Sequence, residues 1–424
     1  MSRGTTSGEA SQGDALEAAR RRSTRLLVGG SALGSIGHIA AVTVAAIAAR
    51  ELLEDAALAG ASTTTTIIGS ALGASLLAWL MVRRGRRVGL VLGLTIAALG
   101  GLIAAWSVME RSFPMLLLGT LLFGFGNSSM QLSRYAAADM ATTARRAWVI
   151  GLVVWAATVG AIVGPNIVPP AAAASVAIGL EEMAGPLLLA AVFMALAGLL
   201  WFALLRPDPY ELAVASSRLD EASGDGEPML RILRRPTVAI AVTAMVVGQV
   251  VMVGIMTMTP LHMRDHGQEL SAVALVISAH TAGMFALSPI TGRIAGRIGS
   301  LPTILLGAGV LAISALLAAA APAEGGIVLL VALFLLGYGW NLGFVAGSTL
   351  LVSGVEHVER TRTEGFADTL VWGSSAVASL ASGFILAAAG FAALGGVGLL
   401  LVGGAVLAML RLRGQVSAPA AASG

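Results

Sequence analysis

The sequence has no cysteine and no lysine. The first absence excludes disulfides and thiolate metal centres, so nothing about the redox compartment can be read. The second excludes a phosphate-binding loop of the kind that needs a lysine, so no ATP-driven step is expected. No cysteine nucleophile exists and nothing points to a Ser–His–Asp arrangement, so the chain is read as a non-enzyme. Charge is scarce as well: 12% of residues are charged, about half the share usual in a soluble domain. Basic residues outnumber acidic ones, 26 to 23. All are arginines set between apolar segments, with no compact basic face, and that pattern argues against a nucleic-acid partner.

What is present is apolar surface: 57% of the 424 residues are hydrophobic. A membrane span needs ~20 such residues. Twelve segments meet that length, at 26–49, 58–82, 88–109, 113–136, 147–168, 185–205, 237–260, 270–289, 301–320, 327–352, 365–389 and 391–410. The expectation is an all-α membrane protein whose partner is the lipid bilayer. Residues 1–25 are polar and end in Arg20, Arg21, Arg22 and Arg25, so they read as a disordered cytoplasmic tail. The apolar run that begins at Leu26 is too long for the core of a cleavable signal. The stretch 206–236 reads as a cytoplasmic central linker between a six-helix half at 26–205 and a second at 237–413. Residues 414–424 read as a second cytoplasmic tail. With the amino terminus inside, only Arg50, Arg111 and Arg264 fall outside, so the positive-inside rule places both termini in the cytoplasm.

The halves resemble one another. The loop after the second span reads RRGRRVG and the loop after the eighth reads GRIAGRIG. The fourth span carries FGFGN at 123–127, and the tenth carries LGYGWN at 336–341. A six-span repeat of this kind is how two-fold transporters are built. The span count, the central loop, the two basic loops and GAIVGP at 160–165 resemble the major facilitator superfamily over nearly the whole chain. The resemblance implies two pseudo-symmetric six-helix halves around a cavity that opens alternately to each side. One departure is evident. The acidic residue that this superfamily places before the first loop arginine is Val82 in the first half and Gly296 in the second, which leaves the usual gating salt bridge without its acid.

The least uniform stretch is 245–284, which holds six of the 16 methionines and three of the five histidines. Met252 and Met256 stand four apart in the seventh span, and His280 and Met284 four apart in the eighth, so each pair shares one helix face. At ~1.5 Å per residue Met252 and His280 fall near the same depth. Thioether and imidazole donors without thiolate suit a soft cation, with cuprous copper first. Packing is the competing reading, since methionine fills irregular gaps in helix bundles. The paired MxxxM and HxxxM resemble the motifs of CcoA-type copper importers, a branch of the same superfamily. That resemblance implies copper as transported substrate rather than cofactor, with Met252, Met256, His280 and Met284 as its ligands. It also implies copper chaperones of oxidase assembly as partners. His262, Met263 and His266 at the external mouth are candidate accessory capture residues.

Other polar groups fall within the spans. His38 in the first span is a candidate coupling group or second imidazole ligand. Asn127 and Asn341 are related by the repeat and are expected to face the cavity. Asp368 is expected to pair with Arg360 or Arg362, with a role as proton carrier as the sharper alternative. Arg134 is expected to snorkel to the interface. The leading expectation is copper import across the cytoplasmic membrane. The alternative is a proton-coupled exporter of drugs or small organic compounds.

Overall fold

The structure is a computed structural model and describes residues 5–53, 61–214, 227–268, 270–322 and 326–416. It is helical throughout, with no strand among the described residues. The helices in chain order are α1 (Thr5–Leu53), α2 (Ala61–Arg84), α3 (Arg86–Met109), α4 (Phe113–Asp139), α5 (Arg146–Trp155), α6 (Ala157–Ala177), α7 (Ala184–Leu204), α8 (Pro209–Val214), α9 (Met229–Arg234), α10 (Pro236–Asp265), α11 (Leu270–Phe285), α12 (Ser288–Ile298), α13 (Ser300–Ala320), α14 (Gly326–Ser353), α15 (His357–Ala389) and α16 (Phe391–Val416). By length and composition, 12 candidate spans are present. The fifth span is α5 plus α6 and the eighth is α11 plus α12, each helix interrupted near mid-span. The short α8 and α9 lie in the central linker, of which residues 215–226 lie outside the described residues.

Apolar contact with lipid does not drive helices together inside a membrane, so close packing has to come from small residues. Both halves show this between corresponding spans. A Cβ on Gly119 of α4 would lie 2.6 Å from the Ala104 nitrogen of α3, and one on Gly339 of α14 would lie 2.8 Å from the Leu311 nitrogen of α13. These two contacts join corresponding spans at different heights, spans three and four in the first half and spans nine and ten in the second. The turns before α3 and α13 match: Gly85 (φ 91°) and Gly299 (φ 92°) both adopt the left-handed region that favours glycine. At the first of them Asp208 of the linker caps α3, its carboxylate accepting from the amides of Arg86 (3.2 Å) and Arg87 (2.9 Å).

One element differs from the sequence reading. Residues 13–25 are not a tail without structure: α1 runs without a break from the polar segment into the span. The sequence ALEAARRR is made of good helix formers. The extension is also tied down, because Arg20 donates from Nη2 (2.9 Å) and Nε (3.3 Å) to the Leu212 carbonyl of α8. At the other end of the chain, α16 continues to Val416, and residues 417–424 lie outside the described residues.

A candidate functional site at the seam between the halves

The loops at 85, 140–145, 205–214, 227–235, 299 and 354–356 share one face with the start of α1 and the end of α16, called here the arginine face. The two halves meet near it. Ser75 of α2 and Thr369 of α15 bring their hydroxyls to 2.6 Å, and Thr369 also donates to the Ala71 carbonyl at 3.1 Å. Gly292 of α12 packs against Trp148 of α5. The far ends of the same spans, α6 and α11, touch only lightly.

Buried charge crosses this seam in two groups. In the first, Arg86 reaches Asp139 at 2.6 Å and Glu364 at 2.6 Å, and all three side chains are almost fully buried. Arg360 adds a 3.4 Å contact to the other oxygen of Asp139. Two arginines and two carboxylates thus balance, with each sign drawn from both halves. The loop arginine therefore has its acids after all. They come from the ends of α4 and α15, and not from the positions of Val82 and Gly296.

The second group centres on Arg134, which is 0% exposed. It does not snorkel. Its Nη2 donates to Asp368 Oδ1 at 2.6 Å and its Nη1 to Oδ2 at 3.2 Å, a bidentate pairing between α4 and α15. Its Nε donates to Ser348 of α14 at 3.1 Å, and Tyr135 donates to Asp368 at 3.3 Å. The guanidinium lies 4.2 Å from the Tyr135 ring and 4.3 Å from the Phe344 ring, one ring from each half. Asp368 therefore pairs with Arg134 rather than with Arg360 or Arg362. Arg360 is held instead by Asp139 and by the Val352 carbonyl.

The methionines and histidine of spans seven and eight lie elsewhere. The helices α10 and α11 touch each other only over a short stretch; α11 packs mainly on α14, whereas α10 packs on α14, α15 and α16 about equally. Met252 is buried, and Met256 and Met284 are half-buried, all within one apolar cluster with Leu333 and Leu336. His280 is buried, and its Nδ1 lies 2.9 Å from the Leu333 carbonyl. A carbonyl only accepts, so Nδ1 carries the proton and Nε2 keeps its lone pair. That Nε2 is buried without a partner among the described residues. At the far face, Met263 is buried in the same cluster. His262 stacks on Phe391 (4.3 Å) and lies 4.4 Å from the His266 ring, while His266 Nδ1 lies 2.8 Å from the His262 carbonyl.

Asn127 and Asn341 turn out to be buried between helices, so neither amide faces open space. Asn341 donates to the Met284 carbonyl (2.7 Å) and to Ser288 (2.7 Å), and accepts from Thr291 (2.6 Å). It thereby ties α14 to the interruption between α11 and α12. Asn127 donates to Ser70 of α2 at 3.1 Å. His38 is half-buried and stacks on Phe123 at 6.0 Å, with Nδ1 buried and unpartnered among the described residues. The sequence reading passed over Glu364 and Asp139. Gln249 donates to Ser375 (2.8 Å) and accepts from Trp340 (2.7 Å). The available signal was that carboxylates within or at the ends of apolar spans are rare enough to demand a partner.

A twelve-span helical bundle in two six-helix halves, joined at one face by buried ion pairs, is the architecture of a membrane carrier. The chain belongs to the Major Facilitator Superfamily, whose family model matches residues 26–357. It is 36% identical to the uncharacterized MFS-type transporter YdeG of Bacillus subtilis over 368 residues, 86% of each chain. It is 32% identical to the riboflavin transporter RfnT of Brucella anthropi, over 88% of this chain and 91% of that one. Among solved structures, the fold is similar to that of the human organic anion transporter MFSD10, with a TM-score of 0.71 at 17% identity, covering 93% of this chain and 99% of the other.

Proposed function

We propose that this protein is a secondary carrier of a small organic solute, driven by a proton gradient, with Asp368 and Arg134 as the coupling pair. The observation that supports this reading is the bidentate Arg134–Asp368 contact across the seam at 2.6 and 3.2 Å. An ion pair inside a span is costly to keep and demands a role. Protonation of Asp368 would discharge the pair and let α4 and α15 part; deprotonation would restore it. With the arginine face taken as cytoplasmic, as the arginine bias supports, the present arrangement is closed inward. In this reading the solute enters from outside and leaves when the seam opens. A relative named as a riboflavin transporter makes flavins and similarly sized heteroaromatic compounds the first solutes to test.

A second reading, copper import, rests on His280. Its Nε2 lone pair is buried and unpartnered among the described residues, with Met284 one turn along on the same helix face. Neutral imidazole with a thioether is a donor set for a soft cation, and in this reading Met252, Met256, His280 and Met284 hand the ion inward.

One experiment separates the two. Cells producing the chain are assayed for accumulation of radiolabelled riboflavin and of radioactive copper. The Asp368→Asn and His280→Ala variants are run beside the unaltered protein. Organic uptake that collapses in Asp368→Asn and survives in His280→Ala supports the first reading. Copper uptake lost in His280→Ala supports the second. Uptake of a panel of organic solutes unaltered by Asp368→Asn would overturn the proposed coupling.

A further inference from the structure

The polar extension of α1 and the start of the fifth span enclose a cleft of about 520 Å³. On the α1 side it carries Arg20, Arg21 and Arg25, with Glu17 as the one acid, and Arg145 stands just before α5. The opposite wall, from the end of α4 and from α5, is apolar, formed by Met140, Trp148, Val149 and Leu152. Positions 148, 149 and 152 lie on one face of α5, so the apolar wall runs down the helix in the direction of the bilayer.

The charges in this cleft do not balance. Arg20 is occupied by the Leu212 carbonyl. Glu17 is shared: it contacts Arg21 and lies 3.9 Å from Arg145. Arg25 is exposed and has no partner among the described residues. One carboxylate thus serves Arg21 and Arg145 together, and Arg25 has none. The corresponding place in the second half, before the seventh span, is different. There Arg235 is held by Glu359 at 2.6 Å and Glu227 at 3.0 Å, and the Glu359 hydrogen bond lifts its pKa above the usual arginine range. Arg231 also faces Glu227, at 3.8 Å. Before the seventh span Arg231 and Arg235 thus share two carboxylates, whereas in the cleft Glu17 stands alone against Arg21, Arg25 and Arg145.

We propose that the cleft between the α1 extension and α5 binds the headgroup of an anionic phospholipid, with an acyl chain along Trp148, Val149 and Leu152. Basic pockets where spans emerge are suited to acidic headgroups, and guanidinium groups pair with phosphate oxygens in a bidentate way. The apolar wall selects lipid over a free anion, because inorganic phosphate gains nothing from Trp148 or Leu152. The site requires no transport activity, so it stands or falls independently of the carrier reading.

The test is native mass spectrometry of the purified full-length chain, titrated with phosphatidylglycerol, phosphatidylcholine and inorganic phosphate. Phosphatidylglycerol adducts are expected to form in preference to phosphatidylcholine and to persist in millimolar phosphate. The Arg21→Gln/Arg25→Gln/Arg145→Gln variant should lose that preference by roughly ten- to a hundred-fold. A control variant, Arg231→Gln/Arg234→Gln in the second half, should keep it. Both variants are first checked for an unchanged elution profile and melting temperature. Equal adduct formation by the two lipids would overturn the proposal. So would retention of the preference in the triple variant, or displacement of the lipid by phosphate alone.

Discussion

The seam at the arginine face and the methionine-rich patch of spans seven and eight are both buried, and they are built on opposite principles. The seam is made of charges that satisfy one another across the two halves: Arg86 with Asp139 and Glu364, and Arg134 with Asp368. The patch is made of soft apolar side chains within one half, leaning on α14. Ion pairs demand fixed partners, and a buried charge without its partner is severely penalised. Thioethers accept many neighbours. The seam is therefore the place where a change of state has to be negotiated, whereas the patch tolerates rearrangement without exchange of partners.

The largest effect is expected from locking the seam. Because the chain has no cysteine, a Ser75→Cys/Thr369→Cys pair can be introduced with no background thiols. The two native hydroxyls stand 2.6 Å apart, so oxidation should cross-link the halves and abolish uptake, and reduction should restore it. Uptake that continues in the fully cross-linked protein would show that the seam does not open. Next comes Arg134→Ala, which strands Asp368 in a buried site and should cost about 3–5 kcal/mol, read as a fall in thermal stability in detergent. Adding Asp368→Asn to that variant should recover part of the loss. Asn341→Ala removes a clamp with three partners and should cost about 1–3 kcal/mol, again by thermal melting. The smallest effect is expected from Met252→Leu, under about 1.5 kcal/mol because side-chain volume is conserved. Its organic-solute uptake should match that of the unaltered protein, and a selective loss of copper uptake would instead give the patch a function beyond packing.

Much of the architecture was legible because membrane spans announce themselves by length. The twelve spans, the repeat and the paired loop glycines all follow from local patterns. The interruption near Ala156 was less visible, since no proline stands there, whereas Pro289 directly follows the one at Leu287. Pro165, Pro169 and Pro170 instead lie inside an unbroken α6. The α1 extension was misread because polarity was taken for disorder, although its residues favour helix and Arg20 has an anchor 192 positions away. The pairing of Arg134 with Asp368 spans 234 positions, and nothing in a single sequence says which inward faces meet. Proximity along the chain favoured Arg360 and Arg362 for Asp368. Geometry favoured an arginine from the other half, because α4 and α15 converge at the seam.

The setting of Arg134 has a mechanical consequence. Its guanidinium is gripped by Tyr135 from its own half and by Phe344, Ser348 and Asp368 from the other. A small separation weakens all three foreign grips together, and none can be released while the rest hold. Such a joint behaves as a snap fastener and not as a sliding bolt. It favours two positions, fully engaged or fully disengaged, and disfavours the partly parted gap through which ions could leak.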